Sequence, residues 1–254
     1  MFRPRIIPCL LLKDLGLVKT IQFKNPRYIG DPMNAVKIFN DFEADELVFL
    51  DIEASKKNRM IDINFVKKVS EEAFMPFAVG GGISNIEQIR NIMNSGAEKV
   101  IINTFAMENP LLVKEASEVF GSQAIIVSID AKKEKDKYFV FTHGGTKKTR
   151  LDPADFAKKM ECAGAGEILI TSIDNDGLMN GYDINLIRLI SNAVKIPVIA
   201  NGGAGDLDDL NSAIVKGGAS AGAAGSIFVY SGKNRGILIN YPDKDEIFRK
   251  FLIS

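Results

Sequence analysis

The chain repeats itself. From Glu46–Met93 to Glu167–Ile214 the sequence keeps register without a gap at an offset of 121 residues. Pro76, Gly81 and Gly82 fall on Pro197, Gly202 and Gly203. Asp62-Ile63-Asn64 falls on Asp183-Ile184-Asn185, and Ile86, Ile89, Ile92 and Met93 fall on Leu207, Leu210, Ala213 and Ile214. The last four pairs share one face of a 3.6-residue period, so they predict a helix in each copy. In both copies a short apolar run ends in glycines just before that helix. After one inserted residue Thr104 falls on Ser226. Such self-similarity marks a duplicated structural unit. Two copies of a four-βα unit predict a (β/α)8 barrel, a fold that typically needs about 250 residues. The chain has 254. It is expected to be one domain, with half-barrels at about 1–120 and 121–254.

The strands expected are Arg5–Leu11, Glu46–Asp51, Phe77–Val79, Val100–Ile102, Ala124–Asp130, Glu167–Thr171, Val198–Ala200 and Ala219–Ala224. Helices are expected after Pro32, over Asn64–Ala73, Asp152–Cys162 and near Lys244–Leu252. The first is expected to supply Val36, Ile38, Phe39 and Phe42 to the core. Lys13 to Pro32 reads as a long loop, and Lys137–Phe141 followed by His143-Gly144-Gly145 reads as a small hairpin. Hydrophobic residues make up 46%, enough for a large core. Lys+Arg and Asp+Glu both number 32, so no charge excess points to nucleic acid or a membrane surface. The apolar start Ile6–Leu12 is too short to span a bilayer. Two cysteines, Cys9 and Cys162, fit a reducing cytoplasm. One histidine, His143, excludes a His-rich metal site, and no cofactor is implied.

In this barrel the site lies at the C-terminal ends of the strands. Two glycine turns there predict two phosphate cradles. One is Gly82, Asn103 and Thr104; the other is Gly203, Gly225 and Ser226, with Gly177 nearby. Glycine lets a ligand approach the backbone, and two cradles in register suggest a substrate phosphorylated at both ends. Lys19, on the long loop, is a candidate substrate contact. Asp130 and Asp176 are the candidate acid and base, because a carboxylate ending an apolar strand is costly unless used or paired. Asp51 reads instead as a structural carboxylate bonded to loop amides. Arg5–Lys13 aligns with Ala124–Lys132 at an offset of 119, which makes Leu11 the mate of Asp130. At the opposite mouth, Arg5, Glu46, Lys99 and Glu167 read either as a ring across the barrel floor or as surface charge.

These residues resemble HisF, the cyclase subunit family of imidazole glycerol phosphate synthase. The matching stretches include RIIPCL (Arg5–Leu10), DELVFLDI (Asp45–Ile52), VGGGI (Val79–Ile83), GAEKVIINT (Gly96–Thr104), GSQAIIVSIDAK (Gly121–Lys132), THGG (Thr142–Gly145) and IPVIANGGAG (Ile196–Gly205). The resemblance implies a heterodimer with a HisH-type glutaminase docked at the floor. It also implies ammonia passing a gate of Arg5, Glu46, Lys99 and Glu167, and a bisphosphorylated ribonucleotide turned into imidazole glycerol phosphate and an aminoimidazole carboxamide ribotide. Asp130 and Asp176 match acidic positions of the family site. Leu11 stands where the family has an essential aspartate. Asp14–Thr20 departs from the family loop Asp-Gly-Arg-Val-Val-Lys-Gly, and Leu178 replaces a usual threonine. The stretch LLLKDLGLVKT (Leu10–Thr20), the segment FKNPRYIGDP (Phe23–Pro32) and the tail RGILINYP (Arg235–Pro242) resemble diverged HisF paralogs associated with amidation of surface-polysaccharide sugars, where the barrel passes ammonia to a separate sugar-amidating enzyme. Both readings stand at this point. A stand-alone phosphosugar isomerase, a third, has no use for the floor gate.

Overall fold

The computed structural model describes residues 3–232 and 234–251. Eight parallel strands close into a barrel: β1 (Arg5–Lys13), β2 (Leu47–Asp51), β3 (Phe77–Gly80), β4 (Lys99–Ile102), β5 (Ile125–Glu134), β6 (Glu167–Ser172), β7 (Val198–Asn201) and β8 (Ala221–Ala224). Closure comes from β8 pairing with β1, Arg5 opposite Ala221 through Pro8 opposite Ala224. A principal helix follows each strand: α1 (Pro32–Asp41), α2 (Ile63–Glu72), α3 (Ile86–Asn94), α4 (Leu111–Phe120), α5 (Pro153–Cys162), α6 (Ile184–Ser191), α7 (Leu207–Val215) and α8 (Lys244–Phe251).

The strands alternate between two apolar layers, as period-2 side chains must. Ile7, Cys9, Val48, Ile126, Leu169 and Ile199 point inward and fill the barrel. Ile6, Leu10, Leu47 and Phe49 point outward onto the helices. The strands are therefore buried on both faces, which is why they read as continuous apolar runs. The repeat shows in the helix caps. Asp62 and its mate Asp183 each accept backbone N–H bonds at the start of α2 and α6. Asn85 and its mate Asp206 do the same for α3 and α7. Each such cap is worth about 1 kcal/mol.

Two expectations change. Lys13–Pro32 is not a loop but a hairpin of Gly16–Ile21 and Lys24–Gly30, with its first strand antiparallel to the end of β1. Phe42 lies past the end of α1 and is exposed, while Val36 and Phe39 are buried. The final helix is described to Phe251; Leu252 lies outside the described residues. The hairpin after β5 is present, with Lys137–Thr142 antiparallel to β5. The two hairpins sit in equivalent places. Leu11 pairs with Val18 of the first, and Asp130 pairs with Phe141 of the second.

Candidate functional site

The upper mouth opens into a cavity of about 910 Å³, counting its solvent-open part. Gly82, Asn103, Thr104, Asp130 and Asp176 all line it, and Leu11 faces it from β1. A smaller neighbouring cavity is lined by Lys19, Gly177, Gly203, Gly225 and Ser226. Leu11 and Asp176 line both. The structure thus gathers the expected mouth residues into two adjoining spaces.

Asp130 ends the inner face of β5 and is buried. Its Oδ2 accepts a hydrogen bond from Asn103 Nδ2 at 3.1 Å. Burial pushes its carboxyl up to about 7, the bond from Asn103 opposes this, and the charge of Asp176 adds to it. A group titrating there is half protonated near neutrality, which suits acid–base work. Asp176 lies on the loop after β6. Its Oδ2 accepts from Thr20 Oγ1 at 2.7 Å and from the Phe23 N–H at 3.2 Å, so the β1 hairpin is tied down onto it. Burial also raises its pKa, against those two bonds and the charge of Lys19.

Gly82 has φ +63°, and a Cβ there would meet the Arg59 carbonyl oxygen at 1.8 Å. Packing alone therefore demands glycine at this turn. Gly225 differs. Its φ is ordinary, but a Cβ would sit 1.5 Å from Lys19 Nζ. The missing side chain is the space the Lys19 ammonium occupies. Lys19 is buried, donates to the Cys9 carbonyl at 3.0 Å and has its pKa lowered by burial. In the first cradle Thr104 Oγ1 accepts the His143 N–H at 3.0 Å, so the β5 hairpin reaches over it. Asp51 accepts from Arg59 and from the Glu53 and Ala54 N–H groups at 3.0 and 3.1 Å, the bonding of a structural carboxylate.

At the other end of the barrel the four charged residues form a closed ring. Arg5 bonds Glu46 at 2.5 Å and Glu167 at 2.6 Å; Lys99 bonds Glu46 at 3.1 Å and Glu167 at 2.8 Å. Each anion has two cations and each cation two anions. Glu46 and Glu167 are buried, so this is not surface charge. Above the ring lies the apolar interior of Ile7, Cys9, Ala78, Ile101 and Leu169. The ring and the mouth face each other along the barrel axis.

A family model described as histidine biosynthesis protein matches residues 5–235. The chain belongs to the histidine biosynthesis protein family. Among its relatives in this family, a Petrotoga mobilis protein named imidazole glycerol phosphate synthase subunit HisF is 48% identical, covering 91% of this chain and 92% of that protein. A Pseudomonas aeruginosa relative, named provisionally as subunit hisF2 of the same synthase, is 46% identical over 97% of this chain and 99% of its own length. A Vibrio vulnificus relative, named provisionally as subunit hisF3, is 44% identical over 97% and 95%.

Several mouth residues escaped the sequence reading. Ser128, Thr171 and Asn201 line the larger cavity. Thr171 and Asn201 are the repeat mates of Leu50 and Gly80, so the offset held a signal in its mismatches. Arg235 donates to the Gly177 and Leu178 carbonyls at 3.3 and 3.1 Å, fixing the turn after β6 from the far end of the chain. Nothing local in the sequence marks that contact. Among the described residues no cluster of His, Cys, Asp and Glu is arranged to hold a metal, and no helix is long and apolar enough to cross a membrane.

Proposed function

We propose that this chain is the barrel subunit of a glutamine-dependent amidotransferase of the HisF type. Ammonia from a HisH-type glutaminase enters at the floor, crosses the apolar interior and reacts at the upper mouth. The single observation carrying this is the coaxial pair, a closed Arg5–Glu46–Lys99–Glu167 ring below and an acid-lined mouth above. Neutral ammonia passes apolar walls that exclude ammonium, because an unpaired charge is costly there. At the mouth, Asp130 and Asp176 exchange protons with the substrate, Asp130 from a pKa of about 7. The substrate is a bisphosphorylated ribonucleotide held between cradles at Gly82, Asn103 and Thr104 and at Gly177, Gly203, Gly225 and Ser226, with Lys19 as a cation at the second. The products are imidazole glycerol phosphate and an aminoimidazole carboxamide ribotide. The names of the relatives support this reaction class.

Leu11 supports a second reading. It puts an apolar wall where its equivalent, Asp130, puts an acid. In that reading the barrel conducts ammonia to a separate sugar-amidating enzyme and makes no product of its own. An ammonium-dependent cyclase assay on the unchanged chain and on Leu11→Asp separates the two. General acid–base groups contribute roughly 10²–10⁴-fold. Turnover by the unchanged chain supports the synthase. Turnover only after Leu11→Asp supports a barrel that has lost one proton-transfer group. No turnover by either form leaves the conduit and overturns the cyclase assignment.

A further inference from the structure

The larger mouth cavity has four charged residues among its described walls: Asp51, Lys56, Asp130 and Asp176. Lys56 is its cation. The charges around it are matched. Asp51 is neutralised by Arg59, and Lys57 bonds both Asp14 and Glu53. The Lys56 side chain forms no hydrogen bond or ion pair with the described residues. Lys56 is exposed, with its ammonium end at the cavity wall beside Gly144. A Cβ on Gly144 would meet Lys56 Cε at 2.9 Å and Nζ at 3.1 Å, so the ammonium lies against that glycine. Gly144 follows His143, whose N–H is bonded to Thr104 Oγ1. On the other side, Gly82 packs on the Arg59 carbonyl and on Ala54, in the loop that carries Lys56. Lys56 therefore stands between the two components of the first cradle, Gly82 and Thr104, with three donors and no acceptor.

We propose that Lys56 is the cation that binds a phosphoryl group in the first cradle, the counterpart of Lys19 in the second. The proposal rests on the two-phosphate reading of the mouth and adds a residue to it. The repeat gives no cation here by symmetry: Lys19 reaches its cradle from the β1 hairpin and Lys56 from the loop after β2. An ammonium with no protein partner among the described residues can give a phosphate charge-assisted hydrogen bonds, which are roughly twice as strong as neutral ones. The glycine at 144 leaves room for the ammonium at the cavity wall.

The test is a titration of crystals with inorganic sulfate, on the unchanged chain, Lys56→Gln and Lys56→Arg, with anion occupancy read at each turn. The unchanged chain is expected to hold an anion beside Thr104 and another beside Ser226. Lys56→Gln is expected to bind the first about tenfold more weakly, at the lower end for a charge-assisted bond, and to keep the second. Lys56→Arg is expected to restore the first. Equal occupancy beside Thr104 in the unchanged chain and Lys56→Gln overturns the role of Lys56 and leaves the cradle standing. An empty Thr104 turn at saturating sulfate in the unchanged chain overturns the phosphate reading there, and Lys56 with it.

Discussion

Replacing Asp130 with asparagine should remove part of the pH dependence of stability. In the folded chain the Asp130 carboxyl titrates at about 7, against 3.8 for an exposed aspartate. Below pH 4 both states are protonated and burial costs nothing extra. Between about 4 and 7 the folded chain holds a proton that the unfolded chain has released, so stability falls as pH rises, by at most about 1.4 kcal/mol per pH unit. Above 7 the loss is complete. Its full size is about 4 kcal/mol, from three units at about 1.4 kcal/mol each. Asparagine carries no such term, and its side-chain oxygen still accepts the bond from Asn103. The difference in unfolding free energy, Asp130→Asn minus unchanged chain, is therefore expected to grow by about 3 kcal/mol from pH 4.5 to pH 8, because about 1 kcal/mol of the loss already falls below pH 4.5. Urea unfolding across that range measures it, and titrating groups that do not interact with Asp130 cancel in the difference. Parallel curves for the two proteins would refute the burial of an ionisable Asp130.

Other substitutions probe separate parts of the molecule. Glu46→Ala leaves Arg5 and Lys99 with one anion between them, and breaking a buried ion pair costs about 3–5 kcal/mol; urea unfolding should show a loss of that order, and a loss under 1 kcal/mol would mean the ring is solvated. Gly225→Ala places a methyl where Lys19 Nζ lies, so sulfate binding beside Ser226 should weaken while binding beside Thr104 persists, as read in soaked crystals. Cys9 is buried, and burial pushes its thiol up to about 12, whereas Cys162 is exposed. A thiol reagent should modify one cysteine in the folded chain and two in denaturant; fast modification of both would contradict the closed interior.

Much of the fold was legible because the duplication repeats its capping residues as well as its apolar faces. Asp62 and Asp183 are polar matches with a mechanical job and helped fix the register from Glu46 to Met93, and the structure adds Asn85 and Asp206 as a second matched pair of caps. The β1 hairpin was not legible. Its turns place Asp14 and Leu15, and then Gln22 and Phe23, at φ between 48° and 64°. Asparagine-glycine or aspartate-glycine pairs usually signal such turns, and neither turn has a glycine at those positions. The hairpin after β5 was legible in part because His143-Gly144-Gly145 marks the next turn, where Lys137–Thr142 folds back onto Lys147–Lys148, although the turn at Lys135 that joins it to β5 has no glycine. The floor ring needed barrel closure. A charge at the start of a strand looks the same in sequence whether it faces solvent or three other strand starts. Lys56 was invisible for a related reason. It stands in a polar run, Ser55-Lys56-Lys57-Asn58-Arg59, where only the fold separates the unpaired cation from the paired ones.

The most direct test of ammonia supply through the floor uses a glutaminase subunit from the same genome. Glutamine hydrolysis is measured for that subunit alone, with this chain, and with a Lys99→Ala chain that opens the ring. Association at micromolar concentrations and a rise in glutamine hydrolysis are expected with the unchanged chain. With Lys99→Ala, association should persist while the transfer of glutamine-derived ammonia to the upper mouth falls relative to ammonia released into solution. No association at micromolar concentrations, with both proteins folded, would contradict the ammonia-using barrel in both of its forms.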